Sequence, residues 1–303
     1  MPPFTKTESM KIKRRFKTVG FVMLIPLFSV LLGLTLYPFG YMVYMSFFRY
    51  SLASWERPQF IGLGNYRDIL SDRTATSSVD FTLLLLAVAV PLEIVLGLLI
   101  AFLLRDTFGE RVFRSAILIP MMVPAVVAGI AWKMLYNFEF GPANYFLSLL
   151  GSPKVSWLGT QLFSRLGVIL VDVWQWTPFV FLVLYAGLQS IPRDVVEAGL
   201  VDGASGFSAM RYIELPLLRP LLFVVLIIRV IDALKIFDIV YMVTFGGPGS
   251  STHSYSFYIY KVGVSFGWDV GYASALSVLL LVAVALLTNL LIRTLRLKET
   301  LEL

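Results

Sequence analysis

Four charged side chains stand at steps of three inside one apolar run: Arg229, Asp232, Lys235 and Asp238. Residues three apart on a helix can pair, and charges in apolar surroundings need such partners or water. At about 100° per residue the set winds round the helix, leaving Arg229 and Asp238 on roughly opposite sides. The expected chemistry is an alternating ion-pair ladder that holds neighbouring segments together. Two other readings remain: a polar path on which one or two of the four meet a solute, and a proton relay, which the interposed Arg and Lys disfavour. A second group, Asp172, Trp174, Gln175 and Trp176, combines aromatic faces with hydrogen-bonding groups. That combination suits a sugar, with its apolar C–H faces and polar hydroxyls. Trp132 and Tyr136 are expected to be interfacial anchors. Glu93 is isolated in an apolar run, and the sequence gives it no role.

A third constellation lies in the polar loop 190–219. Pro192 suits the first turn of a helix, Asp194 and Glu197 fall near its positive end, and Gly203 can end it or reverse the chain. A second short segment leads to Ile213, Leu215 and Pro216. The expectation is a short helix-turn-helix with an exposed apolar and acidic surface, a shape that can sit in a groove on a partner.

The elements that position these groups follow from composition. Of 303 residues, 58% are hydrophobic and 15% charged, against roughly 45–50% and about 25% in soluble domains. So few charges cannot cover so apolar a chain in water, and the excess is expected to face lipid. Six runs are long enough to cross about 30 Å of hydrocarbon: 19–48, 80–104, 113–136, 167–189, 218–243 and 272–293. The first is too long and bulky for a secretory signal. The expected class is an all-α membrane protein with six transmembrane helices. A basic segment 1–18 precedes the first span, an external loop 49–79 follows it, the core of spans two to six fills 80–293 and includes the loop 190–219, and a tail 294–303 closes the chain.

Charge orients these spans. Fifteen Lys and Arg fall at the N-terminus, around 105–114, around 193–219 and at 293–298; seven fall in the opposite loops; Lys133, Arg229 and Lys235 lie inside spans. The basic set marks the cytoplasmic side, so both termini are expected there. The net charge of +6 is thus spread along one membrane face, with no groove for nucleic acid. There is no Cys and one His, His253, which leaves no disulfide and no evident metal site.

The loop 190–219 resembles the EAA motif of permease subunits of binding-protein-dependent ABC importers: Glu-Ala-Ala, three residues, Gly, nine residues, Ile-x-Leu-Pro. Glu197, Ala198, Gly203, Ile213, Leu215 and Pro216 stand at its spacing, with Asp202 before the glycine; Gly199 replaces the usual second Ala, which loosens the helix by about 1 kcal/mol at most. The stretches Phe60 to Tyr66, Arg229 to Asp238 and Gly246 to Gly249 resemble the sugar-importer branch, which includes permeases for maltose, trehalose, polyols and glycerol phosphate. The resemblance implies a type I importer permease fold (MetI-like) in the bacterial inner membrane. It also implies a second homologous permease, a dimer of ATP-binding subunits that bind ATP and Mg, an extracytoplasmic solute-binding protein and a sugar substrate. By the same resemblance, the helix around Glu197 docks in a cleft of the ATPase. The sequence holds no Gly-x-x-x-x-Gly-Lys-Ser/Thr loop, so no cofactor is expected in this chain. Two other classes are weaker. An ion-coupled secondary sugar transporter usually shows an inverted repeat and poised acids, and a membrane enzyme needs a clustered catalytic constellation.

Overall fold

The computed structural model describes residues 6–294 apart from Trp55, Asp106 and Phe266, with side chains from Met23 onward. The basic side chains before Met23, and Arg296 and Lys298 of the expected tail, lie outside the described residues. In chain order the elements are α1 (Lys6–Met45), β1 (Phe48–Arg49), β2 (Gln59–Phe60), α2 (Gly64–Ser71), α3 (Arg73–Leu104), α4 (Glu110–Met122), α5 (Ala125–Leu135), α6 (Pro142–Leu149), α7 (Gln161–Ser190), α8 (Arg193–Val201), α9 (Gly206–Ala209), a π turn (Met210–Glu214), α10 (Leu215–Leu234), α11 (Asp238–Val243), α12 (Tyr255–Tyr260), a second π turn (Lys261–Ser265) and α13 (Val270–Thr294).

Six spans are expected from the sequence. By length and composition four helices qualify, within α1, α3, α7 and α13, and α4 with α5 makes a fifth if that bent pair is one span. The remaining candidate, α10, is 20 residues long, about 30 Å at 1.5 Å per residue, but it holds Arg219, Arg229 and Asp232. Two expected spans are broken. Val123 precedes Pro124, which pushes it out of the helical region to φ −78°, ψ 125°, and α4 and α5 diverge by 95°. The expected span 218–243 ends at Leu234, and Phe237 at φ −137°, ψ −59° separates it from α11. The two breaks meet: α11 packs on α5, and a Cβ on Gly129 would lie 2.6 Å from that of Met242.

The interior is organised around α7, the most buried of the long helices. One apolar cluster joins Phe81, Leu85, Val168, Val171 and Val240, and another joins Ala101, Val180, Phe181, Leu184, Leu218 and Val225. Thus α3, α7 and α10 form one packed unit. The α3–α7 crossing is close because Gly97 lacks a side chain: a Cβ there would lie 2.7 Å from Val180 Cγ1 and 2.9 Å from the Phe181 backbone nitrogen. In contrast α1 is exposed from Met23 to Tyr41, becomes buried at Met45, and meets α13 and β1.

At the end opposite the 190–219 loop, a small cap follows α1. β1 and β2 pair antiparallel, and the buried Asn65 amide donates to Ser46 O and Phe48 O, both at 2.9 Å. Asp72 caps α3 by accepting from the Thr74 backbone N–H at 2.7 Å and from the Tyr272 hydroxyl at 2.8 Å; the Tyr258 hydroxyl also donates to it. Burial raises the Asp72 pKa, but these donors outweigh it and hold the carboxyl below its usual value.

Gly97→Leu is expected to lower the melting temperature of the purified chain, because the Phe181 backbone cannot yield; overpacking of this kind costs about 1–3 kcal/mol. Gly33→Leu is the control, since a Cβ there meets nothing within 4 Å. Thermal unfolding of both in detergent makes the comparison.

Candidate functional site

The 190–219 loop forms an elbow between α7 and α10. α8 has no buried residue, and Glu197, Ala198 and Asp202 are exposed. Val195, Leu200, Val201, Phe207 and Tyr212 add exposed apolar surface. The elbow is nevertheless defined. Gly203 adopts φ +89°, the left-handed conformation that glycine favours. The Ala204 N–H reaches Gly199 O at 2.9 Å and the Gly203 N–H reaches Leu200 O at 3.1 Å, which closes α8 as a Schellman motif. Ile213 Cδ1 occupies the space beside Gly199, 2.2 Å from where a Cβ would stand. The glycine in the alanine position therefore receives the apolar side chain of the returning segment. Leu215 and Pro216 open α10. Just before them the buried Glu214 pairs with Arg105 at the end of α3, so the elbow is joined to a third helix besides the two it connects.

In the interior, Arg229 on α10 donates through Nε to Glu93 Oε2 at 2.5 Å and through Nη2 to Glu93 Oε1 at 2.9 Å and to Asp172 Oδ2 at 3.0 Å. These side chains are 1%, 0% and 2% exposed. The Trp176 ring lies 4.9 Å from the guanidinium carbon, within cation–π range. Three helices thus each supply one charge to a single cluster. The ladder expected along span five is replaced by this cross-helix cluster. Only the Asp232–Lys235 rung is present among the described residues, at 3.7 Å and largely exposed. Asp238 is exposed at the start of α11, because the chain breaks before the fourth step. Glu93 is the residue that sequence reasoning left without a role; the signal was its isolation, since an acid in an apolar span requires a partner.

Gln175, one turn from Asp172, donates to Val123 O at 2.9 Å, a carbonyl at the α4–α5 break. Trp174 meets Trp132 edge to face at 5.5 Å. Trp174, Trp176 and Asp232 are half-buried, whereas Asp172, Gln175 and Arg229 are buried. Tyr136 differs from the expected interfacial anchor: it is 3% exposed, donates to Gly167 O at 3.1 Å and stacks on Trp157 at 5.3 Å. Its ring is packed between helices because Gly167 leaves room for it.

The break after α10 is closed by the loop 244–254. Ser254 Oγ donates to Ile236 O at 2.6 Å, Thr252 Oγ1 to Gly247 O at 2.8 Å, and Arg165 Nε to Ser251 O at 2.8 Å. Gly246, at φ +80°, lies against the His253 and Phe257 rings. His253 is buried, with Lys261 Nζ 3.4 Å from its Nε2. Burial, and then the Lys261 charge, lower its pKa from 6.5 to about 4.

Residues 93–297 match the family model described as the binding-protein-dependent transport system inner membrane component. The chain is 42% identical over 278 residues to the trehalose/maltose transport system permease protein MalF of Thermococcus litoralis, covering 90% of this chain and 92% of that one. It is 36% identical over 292 residues to the trehalose transport system permease protein SugA of Mycobacterium tuberculosis, covering 96% and 92%. A chain of a bacterial ABC transporter that imports the acidic polysaccharide alginate superposes with a TM-score of 0.81 at 20% identity, over 96% of this chain and 99% of that one; the fold is shared.

Two outcomes are expected from this geometry. Arg229→Leu strands two buried carboxyls and should cost about 3–5 kcal/mol, read as lost folded yield and a lower unfolding temperature; Arg229→Lys keeps the charge but not the fork and should recover only part. For His253 the folded pKa lies below the unfolded one, so the stability it contributes is present above about pH 6.5 and is lost as pH falls toward 4. Thermal unfolding across that window should be flatter for His253→Gln than for the wild type.

Proposed function

The chain belongs to the family of binding-protein-dependent transport system inner membrane components, and on that premise we propose that it is the permease subunit of an ATP-driven importer for a carbohydrate. It would work in the bacterial inner membrane beside a second homologous permease, a dimer of ATP-binding subunits and an extracytoplasmic solute-binding protein. The names of the relatives, trehalose/maltose and trehalose permeases, support an oligosaccharide, sugar derivative or polyol as substrate. In this reading α1, α3, α4 with α5, α7, α10 with α11, and α13 are the six spans, and both termini face the cytoplasm with the elbow.

The elbow is the observation that carries the reading. A helix with no buried residue and a row of exposed apolar side chains is costly to present to water unless something covers it. Glu197, Ala198, Gly199, Asp202, Gly203, Ile213, Leu215 and Pro216 would make the surface that an ATPase grips. Because α7 enters the elbow, α10 leaves it and Glu214 ties it to Arg105, a displacement at α8 would reach three helices together. Closure of the ATPase pair would thereby switch the spans between inward-open and outward-open states. ATP and Mg would be held by the partner, in keeping with the missing phosphate loop in this sequence. Of the expected substrate path, the half-buried Trp174, Trp176 and Asp232 would offer a sugar aromatic faces and a hydrogen-bonding group.

Glu197→Lys and Gly203→Val are expected to reduce ATP-dependent sugar uptake at least tenfold in vesicles reconstituted with the partner subunits, while membrane insertion and folded yield stay near wild type. Gly203→Val strains a residue at φ +89°, and Glu197→Lys reverses an exposed charge. Normal uptake in both variants would exclude the coupling role. Uptake that persists without ATP and collapses with an uncoupler would favour an ion-coupled transporter.

A further inference from the structure

The charge balance of the Arg229 cluster is incomplete. One guanidinium faces two carboxyl groups, so with both acids ionised the cluster carries a net charge of −1. Its three side chains are almost wholly excluded from solvent. The nearest further charge on the same helix, Asp232, is also negative and is taken up by Lys235 at 3.7 Å; Asp238, at the start of α11, is exposed. Trp176 covers the guanidinium with an aromatic face, which satisfies a cation but does not offset an excess anion. An uncompensated charge in so dry a site is strongly disfavoured.

The geometry also brings the two acids together. A single nitrogen, Arg229 Nη2, donates to Glu93 Oε1 at 2.9 Å and to Asp172 Oδ2 at 3.0 Å, so both carboxyl groups are gathered at one buried atom. Two carboxylates pressed together away from water commonly share one proton, because they cannot both stay ionised at that separation. We propose that Glu93 and Asp172 together bind one proton, which makes the Arg229 cluster an electrically neutral unit. The proton belongs to the pair rather than to either residue. It lets α3 and α7 approach the same guanidinium without mutual repulsion. The site takes a proton as its ligand and is independent of what the protein transports.

Infrared spectroscopy of the purified chain in lipid at neutral pH tests this. The wild type should show the carbonyl band of a protonated carboxyl, shifted by exchange into heavy water. That band should vanish in Glu93→Gln and equally in Asp172→Asn, since the acid that remains ionises to balance Arg229. Absence of the band in the wild type overturns the proposal and points to a bound monovalent cation or to water in its place. Persistence of the band in both variants assigns it to another carboxyl and also overturns it. If either variant fails to accumulate, Glu93→Asp and Asp172→Glu, which keep a carboxyl at each position, decide: the band must shift in both, and a band unmoved in both overturns the proposal.

Discussion

A guanidinium within an apolar interior is stable only where carboxyl groups meet it, and Arg229 meets two, each from a different helix. This one constraint fixes how α3, α7 and α10 sit together. Glu93 must stand at the depth of Arg229, Asp172 must stand beside both, and the backbones must come close enough for short contacts at 2.5–3.0 Å. Gly97 on α3, one turn from Glu93, provides that approach by leaving space for Val180 and Phe181. Polar pairing and small-residue packing therefore act on the same crossing. In a membrane, where lipid tails are as apolar as the helices, these are the interactions that hold helices to one another.

The same three helices carry the elbow. α7 runs into it, α10 leaves it, and the Glu214–Arg105 pair brings in the end of α3. The α3 and α10 helices are thus tied by charge at two levels, once in the interior, where α7 joins them, and once beside the elbow. In the proposed coupling, that arrangement would give an external force on α8 a stiff route inward, because packed interiors resist continuous deformation. The elbow has an exposed surface but a fixed backbone: Gly203 closes α8, and Ile213 fills the space left by Gly199.

The broken helices follow a different rule. Breaking a span frees backbone groups that lipid cannot satisfy, so the freed groups must find protein partners. Gln175 takes the Val123 carbonyl and Ser254 takes the Ile236 carbonyl. Both partners come from other parts of the chain, and the two halves α5 and α11 then pack on each other. The Gln175 bond sets the irregular backbone of the first break against the stretch of α7 that carries Trp174 and Trp176.

Much of this was legible from residue type and spacing. The apolar runs, the long helices within α1, α3, α7 and α13, and the helix-turn-helix at 190–219 all follow from local rules: hydrophobic length, a proline at the helix start (Pro192 caps α8 from just outside its first turn) and glycine at a left-handed position. The partners of the charges were not legible. Arg229, Asp232, Lys235 and Asp238 are evenly spaced, and spacing alone suggests a ladder, yet Arg229 pairs across 136 residues with Glu93 and across 57 with Asp172. Tyr136 read as an interfacial anchor because its position in the chain places it near a span end; its packing against Gly167 and Trp157 depends on where α7 runs. Local sequence determines which segments become helices and where they stop, because backbone hydrogen bonds and side-chain hydrophobicity act within a few residues. Only the tertiary structure decides which buried charge meets which, because a guanidinium is matched to its carboxylates by distance in space.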